Sequence, residues 1–192
     1  MALSAPSTDP QVLIAEETSP EQTFNTFTAS TAWTLGSALR ERILNLPDDQ
    51  RRPALISIAL ATATSGGGSL HVLFQSATDS GTIPDNENWV RRKRNTVLRW
   101  GVSSWAMRQK VVSGAGSRAA DVVEAAFVKK HALSSANGGA VADEYAIHGG
   151  GYPIRVKGVE GVVAVVVVSG LKQEDDHQVV AETIRDVIAK GN

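Results

Sequence analysis

A lysine and two histidines are the residues of this chain whose neighbours in the sequence could support chemistry. Lys93 lies in the run Arg91-Arg92-Lys93-Arg94, and a helical projection at about 100° per residue separates it from the arginines. With Trp89 at zero, Val97, Trp100 and Val90 fall at about 80°, 20° and 100°, and Lys93 falls among them at about 40°. Arg91, Arg92, Arg94 and Arg99 fall at about 200°, 300°, 140° and 280°, on the solvated faces. Lys93 is therefore the cation of the cluster that the helix turns toward the protein. Two fates are open to it. Its stem can lie along the apolar stripe while the ammonium snorkels out. Otherwise the ammonium is held by carbonyls, a carboxylate or an anionic ligand, because an isolated buried ammonium would lose its proton.

His148 precedes Gly149-Gly150-Gly151, where backbone can approach other groups closely. His177 follows Glu174-Asp175-Asp176 at what reads as the first turn of the last helix. The positive end of that helix keeps an imidazole neutral, which suits a hydrogen bond or a metal or haem-iron ligand. The same position also lies in the apolar register, which suits a core histidine with its hydrogen bonds satisfied, and His148 is open to either reading too. Ser169-Gly170 offers a hydroxyl where the last strand meets the last helix, without a Gly-x-Ser-x-Gly elbow. No HExxH, Cys-rich or His-x-His spacing points to a protein-bound metal, and no catalytic set is legible. Gly66-Gly67-Gly68 lacks the Lys-Ser/Thr of a phosphate loop and precedes a strand, so it reads as a hairpin turn. His71 and His131 read as surface or packing residues.

The elements that must position these residues follow from periodicity. Residues 1–14 carry Ser, Thr, Pro and acids around a short apolar patch and read as a loose tail. Starting from a cap at Thr28 or Ser30, Trp33, Leu35, Leu39, Ile43 and Leu46 recur at helical spacing until Pro47. Between Ala54 and Thr64, Ile56, Ile58 and Leu60 alternate with small residues as a strand, and His71 to Ala77 pairs with it. Glu87 to Val112 is helical, with a break or bend at Gly101, and Ala120 to Leu133 is a further helix ended by SSANGG. Tyr152–Val156 and the unbroken apolar run Val162–Val168 form a hairpin. A run without alternation predicts a strand buried on both faces, hence central in the sheet. His177, Val180, Ala181, Ile184 and Ile188 then mark the last helix. Without repeated βα units the order predicts an α+β fold with an antiparallel sheet and helices packed on it.

Composition removes several function classes. The balance of 19 basic against 20 acidic residues supplies no field for nucleic acid or an anionic membrane. No cysteine is present, so thiol nucleophiles and thiolate metal sites are excluded, in keeping with a reducing compartment. The start MALSAPSTDP lacks the basic and apolar regions of an export signal, and no apolar run approaches the ~20 residues of a membrane span. The expectation is a cytoplasmic protein. Trp89, Trp100 and Trp105 on one helical segment exceed what a thin sandwich covers, which predicts a homo-oligomer built from dimers.

Three blocks, PDNENWVRRKRNTVLRWGVSSW (84–105), HGGGYPIRVKG (148–158) and GVVAVVVVSGLKQEDDH (161–177), together resemble the HbpS-like haem-degrading domain family, in particular its branch with a Pro-Asp-Asn, Trp, Arg-Lys-Arg-Asn-Thr-Val block. The likeness runs from about residue 15 to 190, so residues 15–192 are expected to form one domain. It implies a profilin-like sandwich, a five-stranded antiparallel sheet with helices on its faces, and assembly into dimers and larger rings. Gly149, Gly150, Pro153, Ser169, Gly170 and His177 are the residues shared with the family, a glycine-turn framework rather than a catalytic set. The resemblance and the residues together lead to an oligomeric small-ligand-binding domain, with haem a candidate cofactor and Lys93, His148, Gly149, Gly150, Ser169 and His177 at the ligand site. A non-catalytic interaction protein, presenting its oligomer to a protein partner, is the other reading.

Overall fold

A computed structural model describes residues 2–62, 70–133 and 142–191. The elements are α1 (Pro10–Glu17), β1 (Thr23–Phe24), α2 (Ala29–Leu44), β2 (Leu55–Leu60), β3 (Val72–Ala77), α3 (Pro84–Trp100), α4 (Ser104–Ala115), α5 (Ala120–Lys130), β4 (Gly151–Val156), β5 (Ala164–Ser169) and α6 (Gln173–Ala189). The expected turn at Gly66–Gly68 and the helix stop at SSANGG lie outside the described residues.

The strands form one five-stranded sheet in the order β1-β4-β5-β2-β3. The β4–β5 hairpin pairs Gly151 with Val167 and Ile154 with Ala164, and β2 lies antiparallel to both β5 and β3. β5 is buried along its whole length, as its unbroken apolar run predicts. Val166 and Val168 face the main core with Ile56, Ile58, Leu35, Leu39, Val180 and Ile184, so α2 and α6 cover that side. Val165 and Val167 face Val90 and Val97 of α3 on the other. The α+β sandwich is thus as expected. The sheet, however, is mixed: β1 runs parallel to β4, pairing Thr23 with Arg155 and Phe24 with Val156. A two-residue strand at the edge has no alternation to read, and its direction is set by the N-terminal segment that delivers it.

That segment is not a loose tail. Asp9 caps α1, its Oδ1 accepting from the Gln11 N–H at 2.7 Å. Leu3 is buried in the main core, and Leu13 in a second cluster with Trp105, Val111, Val123 and Phe127. Trp105 Nε1 donates to the Ser7 carbonyl at 2.9 Å, and the Ser103 N–H donates to Glu17 Oε2 at 2.8 Å. Contacts from the distant α4 hold the arm down, and local periodicity does not register them.

α2 starts at the Thr28 cap, with Thr31 completing the capping box. Trp33 is not on its buried stripe; it is 66% exposed and lies edge-on to Phe74. Gly101, at φ 67°, ends α3 and separates it from α4, as expected. The buried arc of α3 holds Val90, Lys93, Arg94, Thr96 and Val97. It is wider than the stripe that the apolar residues mark. Arg94 therefore falls inside it, 7% exposed, where the projection placed it in solvent. Among the described residues no helix is long and apolar enough to cross a membrane.

Candidate functional site

Lys93 settles between its two fates by its partners. It is 3% exposed, and its Nζ donates to the Val168 carbonyl at 3.0 Å and to Asp176 Oδ2 at 2.8 Å. Asp176 Oδ1 accepts the Leu171 N–H at 3.0 Å. One ammonium and one carboxylate thus tie α3 to the end of β5 and to the first turn of α6, where a negative charge also meets the helix dipole favourably. Burial pushes the Asp176 carboxyl up to about 6 against the pull of Lys93, so at neutral pH it is mostly ionised.

The glycine run lets this pair form. Gly150 has φ 113°, and a Cβ there would lie 2.9 Å from Asp176 Cβ and 3.0 Å from Lys93 Nζ and would overlap the Val168 carbonyl. A Cβ at Gly149 would overlap the Gln173 carbonyl. Only bare backbone fits between α3 and α6 at this level.

Beside the pair opens a cleft of about 730 Å³. Arg52, Trp89, Lys93, His148, Ser169 and Asp176 are among the residues that line it. His148 stands against Trp89, ring centroids 4.8 Å apart at 70°. Burial, then Arg108, Lys93 and Arg92, push its imidazole down to about 4, so the ring is neutral at physiological pH. Its Nδ1 is buried without a hydrogen-bond partner among the described residues. The site can therefore offer an aromatic wall and an uncharged imidazole able to accept, donate or ligate.

Of the six residues expected at the site, Lys93, His148 and Ser169 line the cleft. Gly149 and Gly150 shape the backbone behind it. His177 is elsewhere: it is 2% exposed, with its ring 5.6 Å from Tyr152 and 6.3 Å from Trp105, and burial pushes it down to about 3. The helix start that made it a candidate turns its side chain into the core. Asp176, the partner of Lys93, was legible only as one of three acids at a helix start. Arg108 gave no signal at all, because its place near His148 depends on how α4 packs. Among the described residues no cluster of three or more His, Asp or Glu side chains is set to hold a metal ion.

Three of the neighbouring arginines have partners within the chain. Arg91 pairs with Glu144, Arg92 lies 4.8 Å over the Trp89 ring, and Arg99 lies 4.8 Å over Trp100. Trp100 also meets Phe127, His131 and Tyr145. The three tryptophans of α3 and α4 are thus largely covered within the chain, which removes the ground on which they predicted an oligomer.

Comparison with known proteins agrees with this architecture. The sequence model of the family described as haem degrading protein HbpS-like matches residues 27–185. A UPF0303 protein of Rhizobium etli is 36% identical over 182 residues, covering 92% of this chain and 88% of the relative. A UPF0303 protein of Streptomyces coelicolor is 35% identical over 188 residues, covering 98% of this chain and all (100%) of the relative. Among solved structures, the Ybr137w protein superposes with a TM-score of 0.74 at 26% identity, covering 96% of this chain and 90% of its own. HbpS shares the fold with a TM-score of 0.54 at 17% identity, covering 84% of this chain and 89% of its own.

Proposed function

We propose that this chain, which belongs to the HbpS-like family, is a cytoplasmic small-ligand-binding domain whose ligand enters the cleft over Trp89 and His148. The observation that carries this reading is His148: a neutral imidazole with an unpartnered ring nitrogen, held edge-on to a tryptophan in the wall of an open cleft. A cleft of about 730 Å³ is within the range of sites for small molecules and cofactors.

Haem is the candidate that the family description suggests, and the residues fit it. The chain has no cysteine, and a neutral imidazole is a common axial ligand. Trp89 offers a face for a planar ring, and Arg52 and Lys172 at the cleft wall offer cations for carboxylates. Bound there, haem would supply iron and its redox chemistry, while this chain would hold the ring, ligate it through His148 and shield it. Haem titration into the protein should give a saturable Soret shift, weakened at least tenfold by His148→Ala and little changed by His177→Phe. A shift that His148→Ala leaves intact would overturn His148 as the ligand.

A second reading, a self-associating module that presents a surface to a protein partner, is favoured by one observation. Trp33 is exposed beside Phe74 of β3, and β3 is an edge strand of the sheet, whose outer backbone groups have no strand partner among the described residues.

A further inference from the structure

We propose that the floor of the cleft is an acceptor subsite, in which Lys93 and Ser169 donate to an uncharged carbonyl oxygen of the bound ligand. This deepens the small-ligand reading of the cleft, on which it rests, and does not depend on haem as the occupant. Lys93 and Ser169 both line the cleft, and both are almost wholly buried, at 3% and 4% exposed. An ammonium carries three N–H donors. Two of those on Lys93 are taken, by the Val168 carbonyl at 3.0 Å and by Asp176 Oδ2 at 2.8 Å, and the third meets no acceptor among the described residues. Ser169 directly follows Val168, so the spare donor and the serine lie at the same end of β5. Val165 and Val167 pack against α3, and alternation along the strand puts Ser169 on that face as well. Its cross-strand partner Leu55 packs against the same cluster. The Ser169 carbonyl accepts from Asn86 Nδ2 at 3.1 Å, while the hydroxyl makes no hydrogen bond among the described residues.

The charge at this floor is already balanced, because the Lys93 ammonium faces the Asp176 carboxylate. A ligand carboxylate seated there would stand beside Asp176, with Glu174 also in the cleft wall, and would be buried without a cation of its own, which is costly. Arg52 and Lys172 do line the cleft, but both are exposed, where water and salt screen them. An uncharged carbonyl needs no counter-ion. Its oxygen has two lone pairs and can take both donors, and a hydrogen bond from an ammonium is of the stronger, charge-assisted kind. Gly150 keeps the space beside the ammonium open, since a Cβ there would lie 3.0 Å from Lys93 Nζ. Trp89 walls the same cleft and suits a flat ring. A planar ring that carries a neutral carbonyl is therefore the class of ligand this floor fits.

The test is a proton–nitrogen NMR titration of the full chain with benzamide as the probe, and separately with benzoate and benzylamine, which carry a carboxylate or an ammonium on the same ring. Benzamide should shift the Ser169 amide and Trp89 indole signals in a saturable manner. Benzoate and benzylamine should bind more weakly by about fivefold or more, the worth of one hydrogen bond. Ser169→Ala removes the hydroxyl and keeps the backbone carbonyl that Asn86 uses, and it should weaken benzamide by about fivefold. If Ser169→Ala does not fold, the preference among the three probes decides alone. Equal binding of the three probes, tighter binding of benzoate, or a folded Ser169→Ala that binds benzamide as the parent does would overturn the subsite; with Trp89 still shifting, the cleft reading would stand. No shift at Trp89 with any of the three would overturn both.

Discussion

The Lys93 ammonium and the Asp176 carboxylate leave water together, and each is worth keeping only while the other is present. Stranding one member of a buried pair costs roughly 3–5 kcal/mol, so Lys93→Met should destabilise the fold by about that much even though the stem's packing is preserved. Without the lysine, the carboxyl, already pushed up to about 6, rises further and can escape by taking up a proton. The loss measured by urea unfolding should therefore be larger at pH 8 than at pH 6. A variant within about 0.5 kcal/mol of the parent at both pH values would mean that the pair does not hold α3 to α6. The inward turn of Lys93 could be read from its spacing against Val90 and Val97. Its partner could not, because 83 residues separate the two and the choice among Glu174, Asp175 and Asp176 depends on where α6 starts. His148 was legible from the glycines that follow it. His177 misled, since the first turn of a helix and the apolar register overlap there, and only packing decides which one the ring obeys.

Among the elements, α1 is attached through a group whose ionisation should make that attachment depend on pH. Glu17 joins it to the start of α4 through the Ser103 N–H, and burial pushes the Glu17 carboxyl up to about 7, against that hydrogen bond and the charges of Arg155 and Lys110. A carboxyl that ionises at about 7 when folded but near 4.5 when free favours the folded state at acid pH. That preference, roughly 3 kcal/mol, is lost as the pH rises from 4.5 through 7. Glu17→Gln keeps an acceptor for Ser103 and removes the titration. The urea midpoint of the parent should accordingly fall between pH 5 and 8 relative to that of Glu17→Gln; parallel profiles would contradict the assignment. Neither α1 nor β1 was legible, the first being eight residues held by tertiary contacts and the second only two residues long. β5 and α6 were legible because each repeats one signal over its full length, an unbroken apolar run in one and helical spacing in the other. α3 was legible as a helix, but its buried arc is wider than the stripe its apolar residues mark and takes in Thr96 and Arg94 at its two edges.

At the scale of the molecule, one sheet is covered by α2 and α6 on one face and by α3 on the other, and the cleft opens where α3, β5 and α6 meet. Among the described residues no strand pairs with the outer edge of β3, and Trp33 stands exposed there. Self-association across that edge predicts a multiple of 20.3 kDa in light scattering at micromolar concentration, reduced in Trp33→Ser; a parent that scatters as a monomer would contradict it. The cleft does not depend on that outcome, because its walls come from one chain. Its occupancy is the claim on which the functional account stands. Native mass spectrometry of the protein purified from its own cells tests it most directly, by comparing the intact mass with the mass after denaturation, in the parent and in His148→Ala. The account predicts a small-molecule adduct on the parent that denaturation releases and that is missing from a folded His148→Ala. A parent that carries no adduct, or one that His148→Ala carries equally, would contradict it.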